Sequence, residues 1–574
     1  MVKEVSEILA YQLPELISPR KAADIPLTPA KLEKWLTGLP LLNVNQLSYS
    51  IPKYIQQFNH INISDKDRFA MLELLRPVVA HLYISLTKRF SRRNLDLSRE
   101  SQEIQWLTRE MISEMAVGYQ RLLFSIAQKK IGMMNRNQYT VLAQRTIYYL
   151  SEQIRLSYIL CCVPPKKAWF ELNCTYSYAL NHDLTTSKLK DDLAYFDEKG
   201  NINTLYNRIL LLSMVAPYSL RGAELEQVYY GLTAWTDLIQ VRKNDESSNG
   251  YAIGFDDDYG PIYYPRLENI ANKMMIDNDH LLRQLKRWQD SGDRPESFDQ
   301  KGMSDKLLDQ IVLALEATKV ENEEQYEGDN EPVEVVMGLQ DIDLFLDHID
   351  AIMNDDVINS PIPKVKTTES ELDIGSINWD TLQFYTPTIQ PTSAREVTVK
   401  RQVKQQEDDV PTVRRHKFTV ENESKKGACI SCNDLHGSGL FIGEMMFIRG
   451  YDPQIWTLGI VRWMKISENK LYVGLYLLSA EVDSVLVSKE GTTGDVTMNA
   501  LWMADSDEHG DTLLLPRAEF RIGNQIQLTH HGKEISATLG KDIWHSEGFA
   551  QFTFSAQGME KEDSESFEEY LMPA

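Results

Sequence analysis

Asn422, Ser424 and Gly427 stand in the stretch HKFTVENESKKGACI, residues 416–430, at the spacing N-x-S-x-x-G. The residues before them alternate like a strand and those after begin a second short strand, so the three mark a strand end. A short amide and a hydroxyl placed there offer donors and acceptors to a ligand, and a glycine lets backbone or ligand approach closely. The same residue types also make an Asx-type turn that needs no ligand. Arg401, Arg414 and Arg415 precede the triad. An arginine fork pairs bidentately with phosphate or with the O6/N7 edge of guanine, and it stacks on bases. Segment 395–426 holds nine Lys or Arg against six Asp or Glu, a local cationic excess in a chain of net charge −23.

Other reactive residues are scattered. Cys429 and Cys432 form one C-x-x-C, with His436 near and no second pair to complete a zinc set. On a strand, residues three apart point to opposite faces, so packed thiols are expected rather than a metal or redox site. His81, His182 and His280 stand alone, and NHDL at 181–184 has no companion ligands. Neither a Walker loop nor a G-x-G-x-x-G is present. No constellation of nucleophile, base and metal emerges, and the chain is expected not to be an enzyme.

Elements of several kinds must position these residues. At 574 residues the chain exceeds one ordinary core. Residues 1–243 are helical in pattern and read as a scaffold or docking domain. In ISDKDRFAMLELLRPVVAHLYISLTKRF, Ser64 and Asp67 make a capping pair and Leu72, Leu75, Val79, Leu82 and Leu86 a buried stripe. Pro77 predicts a kink there. A helical extension is expected over 244–318, after a Gly, Asp and Pro interruption at 244–266. Residues 319–394 read as an acidic flexible tether, because 320–356 contains thirteen Asp or Glu and no Lys or Arg. Within it Leu339, Ile342, Leu346, Ile349 and Met353 line one face of an amphipathic helix, 339–353, suited to docking on its own chain or to a partner. From 395 the period changes to two: small β modules are expected at 395–488 and 495–560, ahead of an acidic tail, 561–574. Arg517 and Arg521 are isolated in the second module, which is assigned packing or partner contact. The fold class is thus multidomain, α then β. A strongly acidic chain is not expected to bind DNA or RNA. No apolar run near 20 residues predicts a membrane span, and the first residues do not form a secretory signal, so cytoplasm is the expected compartment.

Residues 400–486 resemble a PilZ domain, the small β-barrel that binds the bacterial second messenger cyclic di-GMP. The resemblance rests on NESKKG (422–427), IGEMMFIRG (442–450 with Ile442 leading), WTLGIVRWMK (456–465) and LYVGLYLLS (471–479), in the family's order. The whole chain is similar to large PilZ-type proteins of proteobacteria. The resemblance implies that Asn422 and Ser424 contact guanine and that Gly427 shapes the turn. It also implies an R-x-x-x-R loop upstream, which this sequence departs from: Arg401 is followed four residues on by Gln405, and Lys400 with Lys404 lacks the guanidinium fork. Arg401, Arg414 and Arg415 are the available phosphate partners. Two functions follow: a cyclic di-GMP effector whose helical domain or helix 339–353 contacts a protein partner, or a degenerate barrel without ligand that serves as a scaffold.

Overall fold

The structure, a computed structural model, describes most of residues 9–316, then 326–327, 332–347 and most of 413–556. It divides into two compact units, residues 1–335 with 416–480 and residues 336–415 with 481–574.

The first unit opens with helices α1 (Pro29–Thr37), α2 (Val44–Asn59), α3 (Asp65–Phe90), α4 (Arg99–Ala127), α5 (Arg136–Ile159), α6 (Ala168–Asn181), α7 (Ile202–Met214) and α8 (Gly222–Leu232). Ser64 caps α3 as its sequence predicts: its hydroxyl accepts from the Asp67 amide at 3.1 Å and donates to the Asp67 carboxylate at 2.7 Å. Leu72, Leu75, Val79, Leu82 and Leu86 are all buried. The helix carries Pro77 in its interior and runs unbroken to Phe90. By length and a mean hydropathy of 1.4 this helix matches a membrane span, but its apolar side belongs to the helical core. Two arginines of this helix are buried: Arg68 donates to the Ile61 carbonyl, and Arg76 meets Asp191 at 2.9 Å, while Arg145 of α5 meets Glu73 at 3.2 Å. These contacts offset the solvation each guanidinium loses on burial.

Residues 244–318 depart from the expected helical extension. Strands β1 (Gln240–Lys243), β2 (Tyr251–Gly254), β3 (Ile262–Tyr263) and β4 (Lys273–Asp277) form a sheet in the order β1-β4-β2-β3, and only then come α9 (Asp279–Ser291) and α10 (Asp305–Glu316). The Gly and Asp residues that read as a break separate short strands, of which Tyr251, Ile253 and Ile276 enter the core.

The segment 319–394 also differs from a tether where it is described. It supplies β5 (Tyr326–Glu327), β6 (Pro332–Met337) and α11 (Leu339–Asp347). Val333 and Val335 of β6 are buried, a period-two signal of only six residues inside an acidic run. Helix α11 packs on the second β module, but through Ile342, Phe345 and Asp343 rather than Leu346. Ile349 and Met353, like the rest of 348–412, lie outside the described residues.

The first β module comprises β7 (Arg415–Ser424), β8 (Gly427–Cys432), β9 (Met445–Arg449), β10 (Trp456–Ser467) and β11 (Lys470–Leu477) together with β5 and β6. Its order is β5-β7-β6-β9-β10-β11-β8, and the pairing of β8 with β7 closes six of the strands into a barrel. Glu468 and Asn469, with φ of 51° and 59°, make the two-residue turn between β10 and β11. Both central residues take positive φ because such turns match the twist of the strands. The second module is a closed barrel, β12 (Val482–Lys489), β13 (Thr497–Met503), β14 (Thr512–Pro516), β17 (Phe549–Ala556), β16 (Lys533–His545) and β15 (Gln525–His530), in that spatial order. Val485, Trp502, Leu513, Ile526 and Phe552 fill its interior. The expected architecture, helical first and then two small barrels, is the one observed.

Candidate functional site

Strand β7 alternates Phe418 and Val420, both buried, with half-buried Thr419. A bulge at Glu421 shifts its register against β8: Val420 pairs with Ile430, and the next pair is Asn422 with Cys429. Ile430 faces the interior, so Cys429 and Asn422 face outward. Ser424, two residues on, shares that outer face. It pairs directly with Gly427, whose carbonyl lies 3.4 Å from the Ser424 hydroxyl. N-x-S-x-x-G is therefore a β-hairpin end, and Lys425 and Lys426 lie outside the described residues. Gly427 is a strand residue opposite Tyr476 and does not take positive φ. A Cβ there meets the Leu475 carbonyl and Ser424 Oγ at 3.3 Å, so the close approach of neighbours, rather than a turn, explains the glycine. The turn that needs left-handed backbone is at Gly443, φ 89°, just ahead of β9.

The arginines stand elsewhere. Arg415 begins β7 and Arg414 is exposed just before it. Seven residues of strand at about 3.3 Å each put Arg415 roughly 20 Å along the strand from Asn422. The structure thus groups Asn422, Ser424 and Gly427 and separates Arg414 and Arg415 from them. Arg401 lies outside the described residues.

What shares the outer face with Asn422 and Ser424 comes from β10 and β11. A second bulge, at Arg462, leaves Trp463 opposite Gly474, and Lys465 opposite Tyr472. Gly474 in turn pairs with Cys429, and Tyr476 with Gly427. Reading across the strands, Trp463, Gly474, Cys429 and Asn422 form one row. Trp463, Tyr472, Tyr476 and Lys465 are half-buried, whereas their inward neighbours Val461, Met464, Val473 and Leu475 are buried. A Cβ at Gly474 falls within the Trp463 indole, so the ring lies across that glycine. The Arg462 guanidinium sits 5.3 Å from the Tyr476 ring centroid, and Lys470 Nζ 5.3 Å from that of Tyr472. Lys470 also pairs with Glu421 at 2.6 Å, and Ser431 Oγ donates to the same carboxylate oxygen at 2.6 Å. Those two hydrogen bonds, Lys470 first, hold the Glu421 carboxyl below the usual carboxylate range. Trp456 is buried and stacked on Phe447 at 5.3 Å, while Trp463 is not buried. Only the bulge at Arg462, invisible in a period-two pattern, decides the face.

Cys429 faces outward and Cys432, paired with buried Leu471, faces inward, so the C-x-x-C is split. Burial pushes the Cys429 thiol up to about 11. Among the described residues no three His, Cys, Asp or Glu side chains gather as a metal set.

The same barrel is fixed to the helices by backbone. The Ile466 amide donates to the Cys161 carbonyl at 2.6 Å, and the Val163 amide to the Ile466 carbonyl at 3.1 Å. Nearby, Arg221 Nε donates to the Ile442 carbonyl at 3.2 Å.

A helical domain, a six-stranded barrel with this outer face and a second closed barrel define the class: the chain is a PilZ-type multidomain protein. Three family models match it in order, the cyclic-di-GMP receptor FimW N-terminal domain at residues 30–246, its middle PilZ domain at 251–483 and its C-terminal β-barrel domain at 487–557. In particular it is similar to the cyclic-di-GMP receptor FimW of Pseudomonas aeruginosa, 20% identical over 556 residues that cover 92% of this chain and 90% of that one. No solved structure matches it. The middle match begins at 251, so the PilZ region takes in β2 to β6 as well as the strands from 415 onward. The sequence also holds a second run of the same spacing, Asp434, His436 and Gly439, directly after β8 and outside the described residues.

Proposed function

We propose that this chain is a cyclic di-GMP effector without enzymatic activity, whose first barrel binds the messenger on its outer face and whose helical domain contacts a downstream protein in the cytoplasm. The observation that carries this reading is the match of all three domains, in order, to a cyclic-di-GMP receptor. The backbone clamp from Ile466 to Cys161 and Val163 supports the second half, because a change on β10 moves atoms bonded to the helices. Asn422 and Ser424 supply the polar contacts on the outer face, with Gly427 packed between them and Tyr476. Arg414, Arg415 and Arg401 remain candidates for the phosphates by charge. No contact with DNA or RNA is part of this reading.

Titration calorimetry of the full chain with cyclic di-GMP tests it. Saturable binding is expected, weakened by Asn422→Ala, and more modestly by Ser424→Ala, since a neutral hydrogen bond contributes about 1 kcal/mol net. Arg414→Ala, Arg415→Ala and Arg401→Ala rank the cations, and Asp434→Ala with His436→Ala tests the second run. The alternative, a ligand-free barrel serving as a scaffold, draws on the Ser424 hydroxyl being turned to the Gly427 carbonyl and on Gln405 in place of a second arginine. Absence of binding at high micromolar ligand selects it.

A further inference from the structure

We infer that one end of the helical domain is a membrane-docking surface, where Met133 and Met134 enter the interface of an anionic phospholipid bilayer. The inference goes beyond the effector reading and does not depend on it. Met133 and Met134 form the tip of the loop between α4 and α5 and are 98% and 103% exposed, so neither packs on the protein. The loop is held closed beneath them: the Gly132 amide donates to Asn135 Oδ1 at 2.7 Å, and the Arg136 amide to the Gly132 carbonyl at 3.0 Å. Three more exposed apolar side chains stand at the same end. Leu180 is in the last turn of α6, beyond which Arg136 donates to the Asp183 carbonyl. Leu16 and Ile17 run along the α2–α3 junction, where Ile17 shares backbone hydrogen bonds with His60 and Asn62. The start of α3 is tied to the end of α4 by Ser125, which donates to Asp65 at 2.6 Å. Among the described residues ten large apolar side chains are exposed, and these five share one end of the bundle.

Shape and charge at this end select the occupant. A folded partner needs a complementary hollow for each protruding side chain, whereas the headgroup and acyl boundary of a bilayer takes any apolar protrusion. Methionine, unbranched and flexible, adapts to such surroundings. Between Glu114 and Glu152 the chain has no Asp or Glu, in a protein of net charge −23, and Lys129 and Arg136 flank the tip. Lys129 is exposed and makes no ion pair among the described residues, while Arg136 contacts only a neutral carbonyl. Both can meet lipid phosphate, because an anionic surface attracts Lys and Arg held close to it. Of the acids at this end, Asp67 accepts from Ser64 and Asp65 from Ser125, and Asp183 is exposed. The cationic excess is therefore small. The apolar pair carries most of the attachment, which is peripheral and reversible.

Co-sedimentation of the full chain with vesicles tests this, comparing phosphatidylglycerol mixed with phosphatidylethanolamine against phosphatidylcholine alone. Saturable binding to the anionic vesicles is expected, weakening as salt rises and about fivefold or more weaker on phosphatidylcholine. Met133→Ser combined with Met134→Ser should lower the partition about tenfold or more, and Lys129→Glu about three- to tenfold. Met134→Trp should bind more tightly than wild type, since Trp favours the interface, and should add emission that brominated lipid quenches. Circular dichroism checks that the variants keep the fold, as substitutions at exposed side chains should. No binding to anionic vesicles at low salt overturns the inference, and so does binding that the double serine variant and Met134→Trp leave unchanged. Self-association in sedimentation velocity that the double serine variant abolishes, without vesicle binding, assigns this end to a second copy and likewise overturns it. Cyclic di-GMP binding is expected to be the same in wild type and in every variant, so the effector reading stands or falls separately.

Discussion

In the first barrel, Trp463, Tyr472 and Tyr476 stand half-buried on the outer wall beside Arg462, Lys465 and Lys470. In the second, Trp502 is turned into the core, edge-on to Phe554 with ring centroids 5.2 Å apart, and Arg517 donates to the Ser546 carbonyl at 3.1 Å. Part of its outer wall is occupied: α11 lies on β12 and β13, with the buried Asp343 carboxylate accepting from Ser484 at 2.6 Å and from Asn499. Both barrels close with six strands, so closure does not create a ligand face. What differs is where the register sends Trp463 and Trp502, since helical segments lie on a wall of each barrel, at β10 in the first and at β12 and β13 in the second. An outward ring beside cations is chemistry left available; an inward ring is packing.

The largest expected effect breaks the first barrel alone. A fragment starting at residue 390 lacks β6, and with it the strand between β7 and β9, whereas β12 to β17 all remain. Hydrogen exchange on that fragment should find β9 amides unprotected and those of β14 and β17 protected. Protected β9 amides would show that the barrel closes without β6. Next come core truncations. Phe418→Ala and Phe552→Ala each remove a buried ring and should cost about 3–5 kcal/mol in their own barrels, measured by denaturant unfolding. Only Phe418→Ala should also reduce cyclic di-GMP binding. Equal loss from both would erase the functional contrast between the barrels.

Asp343→Ala sharpens the comparison at the covered wall. It removes the acceptor for Ser484 and Asn499 and should cost roughly 1–3 kcal/mol, with new exchange in α11. Glu468→Gly should go the other way: relieving positive φ in the β10–β11 turn is expected to stabilise by about 0.5–1 kcal/mol in thermal melts. The smallest effect is at Glu421. Its folded pKa is depressed, so its contribution is present above the unfolded carboxylate pKa and is lost as pH falls through the folded value. Glu421→Gln should lower stability by under about 1 kcal/mol near neutral pH, with the difference from wild type vanishing in acid. A gap that persists at low pH would mean the carboxylate is not its cause.

The sequence by itself determined the order of architectures, because periodicity of 3.6 and of two is written in which residues are apolar. It determined the stripe from Leu72 to Leu86 and the Ser64 cap, since both depend only on neighbours within one or two turns. It pointed to the PilZ-type barrel through short strand motifs in order. Other features were settled only by long-range pairing. β6 belongs to the first barrel although its acidic surroundings suggest a tether, because Val333 and Val335 find partners about eighty residues or more further along the chain. Asn422 and Arg415 are neighbours in sequence but lie at opposite ends of one strand, whereas Asn422 and Trp463, 41 residues apart, share a row. Each of these turns on register. A single bulged residue, Glu421 or Arg462, exchanges the faces of everything beyond it, and local composition carries no record of that exchange.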